Sequence, residues 1–307
     1  LTIVYFEPKM LKVQTGQIIE FYSNSCCVAS GGKEFKCAIQ GRINLVVGDL
    51  VDIEILTDNH AMQGLVIKRF ERVTALYKSK DKIKKPIAAN ISHIGILVTK
   101  SPKTNLEFID KWITISKNAS IEPFIIFNKI DQLQNAAFEE VQKVYEDVGV
   151  KTFQISAKLF TNIDELKGYL LNKTTIFVGN SGSGKSTLTA ALTGKKILSK
   201  ALSNNQGVHT TSVSTLYHTD EMKIIDSPGV RDIGIDHLNS KEIILGFPEI
   251  INYSLLCVFP NCFHQTDEGC AVIAALNNGD MEERRSTNVI FWGNKETLNW
   301  RKTNNED

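Results

Sequence analysis

Long apolar runs are missing from this sequence of 307 residues. No stretch reaches the roughly 18 apolar residues that a membrane-spanning helix needs, so no such helix is predicted. The opening residues, LTIVYFEPKMLK, lack a basic segment followed by an apolar core, so no signal peptide is predicted. Neither charge dominates, with 35 Lys and Arg against 34 Asp and Glu, and no internal repeat is present. A hydrophobic content of 42% allows packed cores, which excludes a largely disordered chain and predicts two or three domains.

A disulfide framework is also missing. Three of the six cysteines crowd into 14 residues together with a histidine, in the spacing Cys257-x4-Cys262-x-His264-x5-Cys270. Three thiolates and one imidazole complete the tetrahedral set of a structural zinc ion, and the short spacings keep the entropy of loop closure small. Buried core cysteines are the alternative. The other three cysteines are predicted to be ordinary core residues of strands: Cys26, Cys27 and Cys37.

Residues 12–72 alternate polar and apolar side chains in short runs that are broken by glycine, which predicts a small antiparallel barrel. The expected strands include QIIEFY, CCVAS, EFKCAI, NLVV before Gly48, and LVDIEI. The run KSKDKIKK that follows, at residues 78–85, has a local charge of +4. It is typical of a solvated linker and less often of a surface that faces RNA.

From residue 87 onward, apolar strands alternate with amphipathic helices, which predicts a mostly parallel sheet with helices on both faces. Helices are expected over 105–119, 134–148 and 185–194. The strand runs stop near residue 238, before the cysteine cluster and a helix-like AVIAALNNG. The predicted boundaries are 1–80 for the barrel, 81–238 for the α/β domain and 239–307 for a helical zinc-binding domain.

A phosphate-binding loop is predicted after the strand TTIFV. The motif G-x-x-x-x-G-K-[ST] comprises Gly179, Asn180, Ser181, Gly182, Ser183, Gly184, Lys185, Ser186 and, one residue further, Thr187. Its glycines let backbone N–H groups surround a phosphate at a helix N-terminus. Lys185 is predicted to reach the β- and γ-phosphates, and the Ser186 hydroxyl to bind Mg²⁺. A glycine-rich turn without a ligand is the alternative.

Two further motifs distinguish GTP from ATP. Asn128-Lys129-Ile130-Asp131 follows the strand PFIIF, and its aspartate is suited to accept from the N1 and N2 donors of guanine. The lysine is predicted to lie over the base, and the asparagine to tie this loop to the phosphate loop. A companion motif, Ser156-Ala157-Lys158, ends the next strand and would turn the Ala157 backbone N–H toward the guanine oxygen.

The γ-phosphate and Mg²⁺ are predicted to meet two more segments. Asp226-Ser227-Pro228-Gly229 places a carboxylate near the Mg²⁺ shell and an amide N–H near the γ-phosphate. In Gly207–Ser212, either Thr210 or Thr211, with Thr211 preferred, would complete the Mg²⁺ coordination and lose it after hydrolysis. The guanine motifs precede the phosphate loop, so the order is circularly permuted relative to Ras-like GTPases. Movement at Asp226 would therefore pull directly on the cysteine-rich segment.

These motifs, in this order and with this cysteine spacing, closely resemble the RsgA (YjeQ) family along essentially the whole chain. The resemblance implies an OB-fold barrel, a permuted GTPase domain and a zinc domain. It also implies binding to the 30S ribosomal subunit and its 16S rRNA, subunit-stimulated hydrolysis of GTP, and a role in late maturation of that subunit. We accordingly expect a cytoplasmic monomer with no membrane partner that uses one zinc ion and Mg²⁺ with GTP.

The resemblance assigns a proposed catalytic role to His209, which matches a histidine of the family's G-R-H-T-T-T loop. Val230 follows DSPG where Ras-like enzymes carry a water-positioning glutamine, and an apolar side chain cannot orient water. We therefore expect His209 to position or polarise the attacking water once rRNA orders its loop. Val208 departs from the arginine that the family often has there.

Two hypotheses remain for the main partner of this GTPase, ribosomal RNA or another protein, and the distribution of charge along the chain bears on them. The first 90 residues carry a net charge of +4 and residues 280–307 a net charge of −1, so the barrel is the better candidate for contact with rRNA. In the alternative, the main partner of the GTPase is another protein, with the barrel and the zinc module as docking surfaces. An ATPase or kinase is disfavoured by the two guanine motifs.

Overall fold

The computed structural model describes residues 12–22, 24–56, 63–80, 83–132, 138–194, 214–219, 221–227, 230, 233–260, 262, 264 and 267–289. His209, Thr210, Thr211 and Gly229, which the sequence assigns to the active site, lie outside these residues. Within the described ranges, no helix is both long enough and apolar enough to cross a bilayer.

The first five strands form the predicted barrel. They are β1 (Lys12–Phe21), β2 (Ser25–Ser30), β3 (Lys33–Ile39), β4 (Leu50–Ile55) and β5 (Gly64–Arg69). Their order is β1-β2-β3-β5-β4, and β4 pairs back with β1, which closes the barrel in the manner of an OB-fold. Alternate side chains such as Ile18, Val28 and Ile53 point inward and are fully buried.

The barrel core also holds two of the cysteines, as predicted. Cys26 and Cys37 are opposite one another on β2 and β3, both fully buried, while Cys27 is half-buried. Burial raises the pKa of both buried thiols to about 12, because the charged thiolate would lie in an apolar core. These cysteines are therefore packing residues.

Two details of this region differ from the sequence-based expectation. The prediction of a strand at NLVV is wrong, because only Val47 forms a β-bridge, to Ala88. Leu45, Val46 and Val47 are nevertheless buried. The described residues of the charged run are not an open linker but belong to the two strands of a hairpin, β6 (Ala75–Lys80) and β7 (Ile83–Ala89). The backbone hydrogen bonds between the two strands and the burial of Leu76 and Ala88 hold this segment in place.

The second half of the sheet is the predicted α/β unit. Its elements are β8 (His93–Val98), α1 (Leu106–Asn118), β9 (Glu122–Asn128), α2 (Glu139–Asp147), β10 (Lys151–Ile155), α3 (Ile163–Leu170), β11 (Thr174–Val178), α4 (Lys185–Thr193), β12 (Ser214–His218) and β13 (Lys223–Asp226). Strands β10, β9, β8, β11 and β13 are parallel neighbours, so their carboxyl ends meet at one edge. The described part of the second helix begins at Glu139 rather than at residue 134.

Both faces of this sheet are covered by helices, as predicted. On β9, Ile125 and Phe127 pack in the same core as Trp112 of α1 and Tyr145 of α2. The alternate residues of that strand, which include Phe124, belong to a second core that α3 and α4 complete. The period-two alternation therefore supports two helical layers.

The barrel and the α/β unit share one continuous sheet of eleven strands. Strand β12 pairs with β13 on one side and with the end of β1 on the other, through Glu20↔Thr215 and Phe21↔Ser214. Lys223 of β13 also donates from Nζ to Gln17 Oε1 of β1 at 2.7 Å. The hairpin β12–β13 thus joins the two units by backbone and side-chain hydrogen bonds.

Short helices without described strands follow residue 238. They are α5 (Ser240–Ile243), a 3₁₀ turn (Ile244–Gly246), α6 (Pro248–Ser254), α7 (Ala271–Asn277) and α8 (residues 283–289). We call residues 239–289 the C-terminal module. Asn239 caps α5 in a capping box with Glu242, which satisfies the first backbone donors of the helix.

A buried ionic cluster joins the C-terminal module to α1. Asp110 of α1 is fully buried and accepts hydrogen bonds from Arg284, Arg285, Asn288 and Tyr145. Arg285, with 1% of its surface exposed, also donates to Glu249 of α6 at 2.6 Å. The pKa of Tyr145 is raised, first by burial and then by the Asp110 carboxylate, so its phenol stays protonated and donates. Nothing in the sequence pattern pointed to this cluster.

Candidate active site and metal centre

The phosphate loop connects β11 to α4 at the edge where the parallel strands end. Gly182 and Gly184 have φ values of +76° and +95°, which β-carbon-bearing residues rarely adopt. A Cβ on Gly184 would also lie 2.4 Å from Asn128 Nδ2, so this glycine permits the loop to approach the guanine motif. Lys185 Nζ donates back across the loop to Gly179 O at 2.6 Å and Asn180 O at 2.9 Å. The predicted phosphate ligands therefore form one cradle.

Asn128 connects the three loops of the predicted nucleotide site. Its Nδ2 donates to Ser183 O at 2.9 Å, and its Oδ1 accepts from the N–H groups of Lys129 at 2.8 Å and Ala157 at 3.1 Å. Asn128 is 2% exposed, so these hydrogen bonds form in a protected position. The link between the guanine motif and the phosphate loop matches the expectation. The Ala157 N–H, expected to face the guanine oxygen, donates to Asn128 instead.

Asp131 is oriented by its companion motif. Ser156 Oγ donates to Asp131 Oδ1 at 2.5 Å and accepts from the Leu159 N–H at 3.1 Å. The serine is fully buried and the aspartate is exposed, so the hydroxyl fixes the carboxylate while leaving it open to solvent. Exposed acceptor positions on Asp131 are what a base with two N–H donors requires.

A short loop that the sequence did not single out supports this site. Lys129 has a left-handed backbone (φ 68°), and its Nζ donates to Ser101 O at 2.7 Å. Pro102, the next residue, lies against Gly182 of the phosphate loop. The Lys129 amine is therefore held at the loop after β8, and this loop contacts both the guanine motif and the phosphate loop. The only sign of this loop in the sequence was a Ser-Pro pair after a buried strand.

The first described residue after Gly207–Ser212 is hydrogen-bonded to the described part of Asp226–Gly229. Ser214, where β12 begins, and Ser227, just after β13, are joined through their hydroxyls at 2.8 Å. Asp226 is exposed at the carboxyl end of β13, beside the strand that leads into the phosphate loop. Val230 is 3% exposed and packs in the core, so its side chain does not reach toward an attacking water.

The C-terminal cluster brings four possible metal ligands together. Ligand atoms of Cys257, Cys262, His264 and Cys270 all lie within 4.8 Å of one another. The Cys257 and Cys270 sulfurs are 4.0 Å apart, close to the roughly 3.8 Å edge of a tetrahedron with metal–sulfur bonds of about 2.3 Å. His264 Nδ1 lies 3.4 Å from Cys270 Sγ and 3.7 Å from Cys257 Sγ. This geometry fits a tetrahedral ion.

A serine orients the histidine of this cluster. Ser254 Oγ donates to Ile250 O at 2.6 Å, so it can only accept from His264 Nε2, which lies 3.0 Å away. This assigns the proton to Nε2 and leaves Nδ1, which faces the cysteines, as the metal-binding nitrogen. Burial lowers the pKa of His264, which favours the neutral ligand. No sequence motif pointed to Ser254.

The thiols of the cluster differ in their ease of ionisation. Burial opposes ionisation of Cys257, but backbone N–H groups of Ala271 and Val272 and the neighbouring thiols donate to its sulfur, so its pKa falls below the usual value. Burial raises the pKa of Cys262 to about 12. The N-terminus of α7 therefore stabilises the first thiolate of the set.

Known proteins are similar to this chain along most of its length. The family described as RsgA GTPase matches residues 69–236. The Small ribosomal subunit biogenesis GTPase RsgA of Actinobacillus pleuropneumoniae serotype 5b (strain L20) is 34% identical over 294 residues, covering 90% of this chain and 84% of the relative. The proteins of the same name from serotypes 3 (strain JL03) and 7 (strain AP76) match equally.

Solved structures share the whole fold. The structure of YjeQ from Thermotoga maritima superposes with a TM-score of 0.73 at 25% identity, covering 92% of this chain and 98% of that one. The structure of YloQ, a circularly permuted GTPase, gives a TM-score of 0.73 at 21% identity, covering 95% and 97%. The motif geometry, the family match and these relatives together show that the chain belongs to the RsgA family of circularly permuted GTPases, hydrolases that act on GTP.

Proposed function

We propose that this GTPase binds the 30S ribosomal subunit and its 16S rRNA and assists late maturation of that subunit in the cytoplasm. GTP hydrolysis is stimulated by the subunit, and the nucleotide state controls attachment and release. The observation that carries the proposal is Asn128, which joins the guanine motif to the phosphate loop in a chain whose relatives are named for small-subunit biogenesis.

We assign the nucleotide contacts as follows. Asp131 recognises guanine, the loop from Gly179 to Thr187 holds the phosphates, and the amine of Lys185 leaves its carbonyl partners for the β- and γ-phosphates. Mg²⁺ supplies charge neutralisation there, with Ser186 and a threonine at 210 or 211 as its protein ligands. The barrel and the β6–β7 hairpin are the proposed rRNA contacts, because the first 90 residues have a net charge of +4. The protein is proposed to be a monomer with domain boundaries at residues 80 and 238.

Water activation is assigned to His209. Val230 is buried in the core, so the position after DSPG offers no side-chain hydrogen bond to water. His209 directly precedes Thr210 and Thr211, one of which is the proposed Mg²⁺ ligand, so an imidazole lies in the same sequence segment. Ordering of that loop by rRNA would explain why the subunit stimulates hydrolysis.

GTP turnover with and without purified 30S subunits tests this proposal. We expect at least about tenfold stimulation of the wild type, and a loss of about 10²-fold in subunit-stimulated turnover for His209→Ala, the scale of a positioned acid–base group. Basal turnover of His209→Ala should change less. His218→Ala, in β12, is the matched control. Absence of stimulation contradicts the function, whereas stimulated turnover of His209→Ala at the wild-type rate contradicts only the role of the histidine.

The metal of the C-terminal cluster is proposed to be zinc, with no position left for a substrate because all four ligands come from the protein. A closed set of this kind stabilises a fold rather than catalysing a reaction. Chelation should therefore release one zinc ion per chain and unfold the C-terminal module first.

Hydrogen exchange of α6 and α7, before and after chelation, measures this effect. Protection in both helices should fall by at least about 10²-fold, while the barrel strands keep theirs. Cys262→Ser should mimic chelation, and Cys27→Ser in the barrel should not. Full protection of α6 and α7 in a metal-free protein would show that packing alone holds the module.

A further inference from the structure

The C-terminal module exposes an unusual run of large apolar side chains. Leu255, Leu256, Val258 and Phe259 are 80%, 69%, 68% and 53% exposed, although they occupy five consecutive positions with Cys257. We call these four residues the apolar surface. Single exposed apolar residues are common, but a concentrated group of them marks a site of association.

The backbone holds the apolar surface in place. The Leu255 and Leu256 N–H groups donate to Ile251 O and Tyr253 O at the end of α6, and the Val258 N–H donates to Gly269 O at 3.3 Å. Gly269 lies against Val258, where a Cβ would approach a methyl group to 2.6 Å. The run contains Cys257 and precedes Cys262, so a metal bound by the cluster would hold it at its middle and just beyond its C-terminal end. A surface that is ordered in advance loses little entropy on binding.

The C-terminal module that carries the apolar surface is acidic. The C-terminal module contains three Lys or Arg and seven Asp or Glu, a net charge of −4. Two of the three cations, Arg284 and Arg285, are held by Asp110, Glu249 and Glu282. The carboxylates of Glu268 and Glu283 are exposed. A net negative charge on the module disfavours phosphate and favours a positively charged protein.

We propose that the apolar surface is a protein-docking site, which receives apolar side chains from a basic protein of the small subunit rather than its rRNA. The proposal rests on the function proposed above and assigns different partners to the two ends of the chain. The basic barrel contacts RNA, and the acidic C-terminal module contacts protein. The apolar anchors supply affinity, and the negative charge of the module supplies orientation and a faster encounter.

Substitution of the exposed anchors tests the contact. Leu255→Ser and Phe259→Ser together should weaken binding to purified 30S subunits, with a non-hydrolysable GTP analogue, by about tenfold or more. Basal GTP turnover and bound metal should be unchanged, because both side chains are exposed. Leu171→Ser, at a 45% exposed residue just after α3, is the matched control. Equal binding by the double variant and the wild type overturns the docking site, whereas no binding by the wild type contradicts the proposed function.

Charge reversal and crosslinking distinguish protein from RNA. Glu268→Lys should weaken binding to the subunit if the partner is basic protein, and strengthen it if the partner is phosphate. Phe259→p-benzoylphenylalanine, irradiated in the complex, should give a product that is digested by protease and resists ribonuclease. Tighter binding of Glu268→Lys, a crosslink to rRNA alone, or no crosslink to the subunit overturns the proposal.

Discussion

Asp131→Asn is expected to lower the affinity for GTP on the order of 10³-fold and to give the protein a preference for XTP. The carboxylate accepts from two N–H donors of guanine, and asparagine keeps one acceptor but places an NH₂ group opposite the second donor. A site that is left with a mismatched polar group rejects its ligand by about 10⁴–10⁵-fold in the strongest cases, and the retained acceptor moderates the loss here. Xanthine carries a carbonyl where guanine has the amino group, so it restores the pairing.

Competition binding with GTP and XTP measures this change. Ser156→Ala should lower GTP affinity by only about tenfold, without favouring XTP, because it removes the hydrogen bond that orients the carboxylate and leaves the carboxylate itself. Asp147→Asn, at the exposed end of α2, is the neutral control. If Asp131→Asn kept the wild-type preference for GTP, guanine would have to be read by other residues.

Arg285→Met is expected to lower the free energy of unfolding by about 3–5 kcal/mol. Methionine retains much of the apolar volume but removes the cation that Asp110 and Glu249 share in a fully buried position. The cost arises from carboxylates that remain buried with fewer donors, and not from lost attraction alone. Urea denaturation followed by tryptophan fluorescence reports the change, since Trp112, one of three tryptophans, lies on the same helix as Asp110.

Lys117→Met on α1 is the matched control for this variant. Its ion pair with Glu122 spans 3.2 Å at the surface, where both side chains are at least 37% exposed, so a loss below about 1 kcal/mol is expected. The double variant Asp110→Ala with Arg285→Met should cost less than the two single losses added together, because each removes the buried charge that the other would strand. If Arg285→Met lowered the free energy of unfolding no more than Lys117→Met, the buried cluster would contribute no more to stability than a surface ion pair.

Local motifs made the fold and much of the nucleotide site predictable. The apolar run PFIIF predicted β9, the alternation of strands with helices predicted cover on both faces of the sheet, and the spacing from Gly179 to Lys185 predicted the phosphate loop. The prediction that Asn128 ties two motifs together required only that parallel strands end at one edge. Such features depend on a few neighbouring residues, and a sequence displays them directly.

Long-range partners could not be predicted in this way. Asp110 looks like one polar position on an amphipathic helix, yet its partners lie more than 170 residues away in Arg284 and Arg285. Ser254 acquires its role only because α6 brings it to His264. The NLVV segment has the composition of a strand, but its residues are buried without a continuous partner strand. Burial of apolar residues therefore does not show that they pair with a neighbouring strand.

The hairpin β12–β13 gives this protein a particular order of assembly. During synthesis the five barrel strands and β8–β11 emerge before the hairpin β12–β13. Until that hairpin emerges, the edge of β11 and the end of β1 lack the strands with which they pair in the final sheet. Open strand edges invite pairing with other chains, so the nascent protein is most vulnerable just before residue 214 is added. Once inserted, the hairpin closes both edges together, and the amides of β12 should be the sensitive reporters of whether the barrel and the GTPase unit have joined.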